Sequence, residues 1–407
     1  MGALKRLKHI KTKAYKVLYQ RIFFTLMIIV IYIIGSHITL PGIKVRTHLP
    51  HSFLDIALSN VGGDIGTIHL FSLGLGPWLT TMIIMALLTY RNIEKEKLET
   101  QLERHFKERF FTLLLAIIQG YFVLSSNQSK FQGVHIGFLL LILVTGTLLL
   151  VWLADQNTVY GIAGPTPIVL VGIVKSIFQH QQLQHIDGVA VAIGIALMLV
   201  VLVLLVCLER IEYRIHYQDV MHVTTSQKDT YISWKLNPAG SMAMMFSFSL
   251  YFIIGMLAQV IGRWLTGDAS NQPVFLELNH SVGVLMFFVM LVMLNFMLSK
   301  VLFNTKRKAK TFQKSGHYMD GIYPGKATRV YLNRKSNQIS AIGAAVLGLI
   351  ISLPLLTAVV VTDMTQELFV FTQFVILIYM TINIAETVRT YLYFDQYQSF
   401  LDPYSEE

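Results

Sequence analysis

An all-α membrane protein, a bundle of ten transmembrane helices in two five-helix halves, is the fold class this sequence predicts. Three observations carry that expectation: 54% hydrophobic against 14% charged residues, ten separate apolar runs, and basic residues gathered in alternate connections. Over 407 residues with a mean hydropathy of +0.56, there is more apolar side chain than one water-facing core can bury. Lipid resolves the excess, at roughly 20 apolar residues per crossing helix.

The first run, 22–40, follows a basic flank and superficially resembles a secretory signal. It is longer than such an apolar core and lacks a small-x-small cleavage pattern after it, so it reads as span 1. Spans 2 to 10 follow at 77–89, 110–126, 134–154, 165–178, 188–208, 239–262, 282–303, 339–361 and 368–384. Spans 2 and 5 are short and start beside Gly74, Gly76 and Pro77, and beside Gly161, Gly164, Pro165 and Pro167. Helices broken in this way need shelter inside protein, because lipid would leave their backbone groups unpaired. Short spans at positions 2 and 5 of ten suggest halves at 1–178 and 179–407; the order of spans, not internal sequence similarity, suggests an inverted repeat.

Orientation follows from charge. Most of the 33 Lys and Arg precede span 1 or lie between spans 2 and 3, 6 and 7 (loop 209–238), and 8 and 9 (loop 304–338). Those segments are expected in the cytoplasm of a plasma-membrane protein, with both termini on the same side.

The chemistry that is missing narrows the function. Membrane enzymes and ion-coupled transporters need ionisable groups at depth, yet the middle of every predicted span lacks Asp, Glu, Lys and Arg. Asp155, Lys175, Glu367 and Glu386 fall at span ends, where such side chains are expected to reach the interface. No HExxH or GxSxG occurs, and GIYPGKAT is one residue short of a phosphate loop, with Ala327 in place of the hydroxyl. His48/His51 and His180/His185 lack a neighbouring Cys or carboxylate cluster, so no metal is expected. The single cysteine, Cys207, lies in an apolar run and excludes an intrachain disulfide. No catalytic residue and no cofactor is expected. A passive pathway driven by a partner remains, with a secondary transporter of a small solute as the alternative that also fits ten spans with broken helices.

At 69–88, HLFSLGLGPWLTTMIIMALL resembles the second-span signature of the SecY family, preceded by Gly62-Gly63. RFFTLLLAIIQ in span 3, LVTGTLLLVWLADQ leading to YGI, LNPAG before span 7, KSGHYMDGIYPGKATRVYLNR before span 9 and DQYQSFL near the end also match, in order. The resemblance implies a protein-conducting channel with a short plug helix at about 51–66. It implies a pore ring of Leu79, Ile83, Val169, Met245 and Ile376, since an apolar collar holds no ions yet gives way around a polypeptide. The same resemblance places the plug on Phe53, Leu54, Ile56 and Leu58, and a lateral gate between spans 2 and 7 on Thr81, Gln119 and Ser249. It implies a motor-contact surface at Arg210, Arg214, Tyr323 and Lys326.

Two departures matter. Span 5 opens with PTPIVL instead of the family's Gly-Asn-Gly-Ile type, and Tyr323 stands where the family's PGIRPG turn carries Arg. A phenol cannot make the forked, permanently charged contacts of a guanidinium, which points to a dedicated motor. The chain thereby resembles the accessory SecY paralogues of Gram-positive cocci, which implies an accessory SecA-like ATPase and small SecE/SecG-like or accessory Sec subunits as partners. Unfolded secretory polypeptides, serine-rich glycosylated surface adhesins among them, would be the substrate; membrane lipids surround the chain, and DNA is not a partner.

Overall fold

The computed structural model describes residues 2–40, 57–64, 68–91, 100–126, 135–179, 188–219, 230–266, 281–360 and 365–393. Every predicted apolar run falls within or overlaps a helix. In chain order these are α1 (Gly2–His37), α2 (Gly76–Arg91), α3 (Gln101–Ser126), α4 (Ile136–Tyr160), α5 (Thr166–Gln179) and α6 (Gly188–Arg210). Strands β1 (Glu212–His216), β2 (Gln218–Asp219) and β3 (Tyr231–Lys235) precede α7 (Gly240–Thr266) and α8 (Ser281–Phe303). Then come α9 (Thr305–Ser315), β4 (His317–Tyr318), α10 (Lys326–Val360) and α11 (Thr365–Tyr393). Among the described residues, five segments are long and apolar enough to cross a membrane: Tyr15–His37, Leu102–Ser125, Ile136–Tyr160, Gly240–Gly262 and Ser281–Ser315. Gly76–Leu88 and Thr166–Phe178 are apolar but shorter, matching the short second and fifth runs.

The helices pack in two groups. In the first, α1 lies on α4 and α5, and α3 lies between α2 and α4. In the second, α8 lies between α7 and α10, while α11 contacts α10 and α6. The groups meet along two seams: α2 against α7 and α8, and α11 against α5 and α1. One continuous apolar cluster fills the space between them.

Both broken spans find the shelter their sequence demands. Between α4 and α5, the buried Asn157 amide donates to Ile162 O at 3.0 Å and Gly164 O at 2.6 Å. Its oxygen accepts from Thr25 Oγ1 at 2.9 Å, and that hydroxyl accepts from Ile162 N–H at 2.9 Å. Arg21 caps Gly161 O at 3.0 Å, so α1 satisfies the backbone that the Gly-rich turn leaves open.

The connections 209–238 and 304–338, expected as loops, carry strand structure. β1 pairs antiparallel with β3, and β2 with β4, joining the two connections. A second, smaller apolar cluster of Ile215, Trp234, Phe303, Phe312, Met319 and Leu332 lies beneath them. EYRIH exposes four residues and YISWK two, and each buries one side chain, too little apolar alternation to separate a strand from a polar loop.

The plug end of the bundle depends on close backbone approach. A Cβ on Gly172 of α5 would lie 2.7 Å from Gly62 Cα and 3.0 Å from Ser59 O. Gly172→Ala should push α5 off this turn at a cost of about 1–3 kcal/mol, the range for overpacking. A lower midpoint in thermal unfolding of the detergent-solubilised protein checks it, and an unchanged midpoint would refute the close fit.

Candidate channel constriction and plug seat

The five pore-ring positions come from four helices, α2, α5, α7 and α11. Leu79, Ile83, Val169, Met245 and Ile376 are all buried and belong to the one central cluster. Ala57, Leu58 and Val61 belong to it too, each fully buried. Of the plug positions, Leu58 is therefore packed in the interior, while Phe53, Leu54 and Ile56 lie outside the described residues.

A helical turn at 57–59 ends in a pattern dictated by two glycines. Gly63 N–H donates to Leu58 O at 2.9 Å and Gly62 N–H to Ser59 O at 3.0 Å, with Gly62 at φ +77°. This pair of bonds is the Schellman stop, which needs a left-handed residue and therefore favours Gly at 62. The turn is then tied down by α1, whose buried Tyr32 hydroxyl donates to Gly62 O at 2.8 Å. Leu75 N–H donates to Val61 O at 2.8 Å and Asp64 N–H to Ser72 O at 2.9 Å, fastening the segment to the approach of α2.

A charged cluster lies beside this turn. Lys175 Nζ of α5 is 3.3 Å from Asp64 Oδ2, 3.2 Å from His69 Nε2 and 3.5 Å from Ser36 O of α1. Asp64 Oδ2 is also 3.7 Å from His69 Nε2. Phe71 N–H donates to His69 Nδ1 at 3.1 Å. Burial lowers the His69 pKa below its ordinary 6.5; the Asp64 carboxylate opposes the shift, and Lys175 and His37 reinforce it.

Three of the four ionisable residues expected at span ends have charged partners. Lys175 pairs with Asp64, Asp155 with Arg109 of α3, and Glu386 with Lys235 of β3. Glu367 lies among residues whose side-chain surroundings are not described. Each pairing joins residues far apart in sequence, so a reading by windows assigns these side chains to water.

At the α2–α7 seam the three gate positions behave differently. Ser249 Oγ of α7 donates to Gly76 O, the first residue of α2, at 2.8 Å. Thr81 is buried but bonds within its own helix, to Pro77 O at 2.9 Å. The Gln119 amide is buried with neither its oxygen nor its nitrogen hydrogen-bonded among the described residues. Ser249 alone of the three makes a described bond across the seam.

Sequence reasoning missed Gln373, one turn before Ile376 on α11. Its amide nitrogen donates to Ser176 Oγ of α5 at 2.9 Å and to Ser59 Oγ of the plug turn at 3.4 Å. A glutamine at the start of an apolar run is the only signal that could have drawn notice. At the opposite end, Arg210, Arg214, Tyr323 and Lys326 are exposed, Tyr323 at 85%. The Arg214 guanidinium stacks over the Tyr231 ring at 4.6 Å.

A sequence model of the SecY family matches residues 69–385. The chain belongs to the SecY family. It is similar to the accessory Sec system protein translocase subunit SecY2 of Staphylococcus epidermidis, 43% identical over 394 residues that make up 96% of this chain and 98% of the relative. Against the subunit of the same name from Staphylococcus aureus it is 43% identical over 403 residues, 98% of this chain and 100% of the relative. Among solved structures it resembles a protein-conducting channel with a TM-score of 0.67 at 15% identity, covering 94% of this chain and 95% of the other. A SecY structure concerned with the plug domain and the membrane seal superposes at a TM-score of 0.65, with 15% identity and the same coverages. The SecY fold is that of a multi-pass membrane channel, a translocase component and not an enzyme.

Two consequences are measurable. Ser249→Ala removes the one described cross-seam bond, worth about 0.6 kcal/mol on average in membrane helices, or about threefold in an equilibrium. It should raise by that factor the cross-linking rate of an apolar segment to α2, and no change would show the bond carries no load. Because the folded His69 pKa is depressed, stability held above the ordinary 6.5 is lost as the pH falls below it and towards the folded pKa. The protein should melt at a lower temperature at about pH 5.5 than at about pH 7.5, and His69→Gln should reduce that difference. An unaltered pH dependence in the variant would refute the assignment.

Proposed function

We propose that this chain is the channel subunit of an accessory Sec translocase, passing unfolded polypeptides across the cytoplasmic membrane with energy from a partner SecA-like ATPase. The observation that carries the reading is the apolar collar: Leu79, Ile83, Val169, Met245 and Ile376, from four helices on both sides of the seams, are buried with the plug turn in one cluster. Apolar side chains there would seal against ions while yielding to a chain in transit. The halves 1–178 and 179–407 would move apart around that collar, and α2 and α7 would part to release apolar segments into lipid.

The basic connections support a cytoplasmic position for the strand-bearing end and for both termini. Arg210, Arg214, Tyr323 and Lys326 would face the motor there. The exposed phenol of Tyr323, in a turn whose family counterpart is Arg, suits a dedicated motor. The names of the staphylococcal relatives favour the same accessory assignment. Serine-rich glycosylated surface adhesins would be the substrates, and small SecE/SecG-like or accessory Sec subunits the companions.

Cysteines placed at Leu79 or Met245 test the pathway. A stalled secretory chain should form adducts at both when the ATPase and companion subunits are present. Adducts elsewhere, with none at either position, would reject the collar.

A further inference from the structure

Two adjacent residues of α5 hold both ends of the plug's last turn. Lys175 pairs directly with Asp64, just past the Gly62-Gly63 stop, at 3.3 Å. Ser176 accepts from Gln373 at 2.9 Å, and the same amide reaches Ser59, just before that stop, at 3.4 Å. Gln373 and Ser176 are both buried, Gln373 at 1% exposure. Asp64 and Lys175 are largely shielded, their side chains 13% and 23% exposed. The turn between the two holding points packs against Gly172 of the same helix, one turn away.

The bridge through Gln373 crosses a seam. Gln373 belongs to α11 in the second group of helices, Ser176 to α5 in the first, and Ser59 to the plug. Drawing α11 away from α5 therefore breaks the Ser176 bond, the Ser59 bond or both. The α2–α7 seam has its own bond, Ser249 to Gly76 O, which shares no atom with this set.

The closed arrangement is held without being over-stabilised. Asn60, inside the same turn, is buried with neither amide atom hydrogen-bonded, and the Gln373 oxygen is likewise unpaired among the described residues. Unpaired buried polar groups raise the energy of the closed state relative to one in which water reaches them. A latch that must release needs such an offset.

We propose that the plug turn is latched at two points, to α5 by the Asp64–Lys175 pair and to α11 by Gln373, and that the second point couples plug release to separation of α11 from α5, independently of the α2–α7 gate. This rests on the channel reading above. Residues 175 and 373 are thereby positioning residues for the seal.

The test uses the full chain with its companion subunits in lipid vesicles, without motor or substrate, and reads ion efflux. Gln373→Leu and Lys175→Met should each raise the leak by about tenfold, the factor that a modest loss of closed-state bias produces. Exchanging the charges, Asp64→Lys with Lys175→Asp, should return the leak towards that of the unaltered protein, which a misfolded variant could not do. Ser249→Ala should leave the leak within about threefold. In a Cys207→Ser background, joining Ser59→Cys to Gln373→Cys with a short bifunctional thiol reagent should hold the vesicles sealed and block polypeptide passage. Variants that stay sealed, an exchange that leaks as much as the single changes, a Ser249→Ala leak equal to that of Gln373→Leu, or passage through the joined protein would each overturn the latch. Should the cross-links at Leu79 and Met245 form while these variants stay sealed, only the latch fails; without those cross-links the channel reading itself falls.

Discussion

Everything at the centre of this molecule depends on pairing the backbone of the segment that leads into α2. In hydrocarbon an unpaired N–H or C=O costs several kcal/mol, so a span that begins part-way through the bundle needs partners supplied from elsewhere. The described residues between Ala57 and Leu75 meet this need through two glycines, the Tyr32 hydroxyl, Ser72 and the carbonyl of Val61. Gly74, at φ +57°, shows how little room remains: a Cβ there would stand 2.5 Å from the backbone of Gly62 and Gly63. Because that backbone is satisfied by α1 and by its own neighbours, α2 can start deep inside and present Leu79 and Ile83 to the central cluster.

The polar contacts around the collar differ in strength according to what they must do. Single hydrogen bonds between membrane helices are worth little, since either partner finds other groups when the helices part. That suits the α2–α7 seam, where one serine-to-carbonyl bond spans the contact and the Gln119 amide stays unbonded. At the α5–α11 seam a glutamine bridges two hydroxyls next to a shielded ion pair. That pair holds the segment after the 57–63 turn to α5 and is not itself broken when α11 leaves α5, so at this seam the separating contact is the glutamine bridge.

How much of this was legible from the sequence depends on the range over which each feature acts. Span positions, the two short spans and the Gly-Pro breaks are local, and all of them appear as helices where the apolar runs fall. Gly62-Gly63 was legible only as part of the family resemblance; the helix stop it forms, with its two bonds, was not. The partners of Lys175, Asp155 and Glu386 were not legible because each lies on another element. Thr81 and Ser249 looked alike as polar residues on neighbouring spans. Only geometry separates a threonine bonding its own helix, four residues back, from a serine reaching across. The strands at 212–216 and 231–235 escaped notice because their stability comes from cross-strand pairs and from a small core shared with α9 and α10, neither of which shows as a period of two.

One face of α11 draws these elements together. Gln373, Ile376, Tyr379, Asn383 and Glu386 recur at intervals of three and four, the spacing that lines a single helical face. Along that face the helix meets the plug turn at Gln373 and the central cluster at Ile376. It then meets Asn237 through the Tyr379 hydroxyl at 2.9 Å, Ser241 through Asn383, and Lys235 of β3 through Glu386. From Gln373 to Glu386 an α-helix extends about 20 Å. The turn at Ser59, the collar and the strand-bearing end thus share one helix, and its ties to β3 and to the start of α7 hold it to the second group of helices when that group shifts relative to α5. An isolated helix would be free to slide. Here the ion pair at one end and the amide bridge at the other tie α11 both to Lys235 of β3 and to the turn at Ser59.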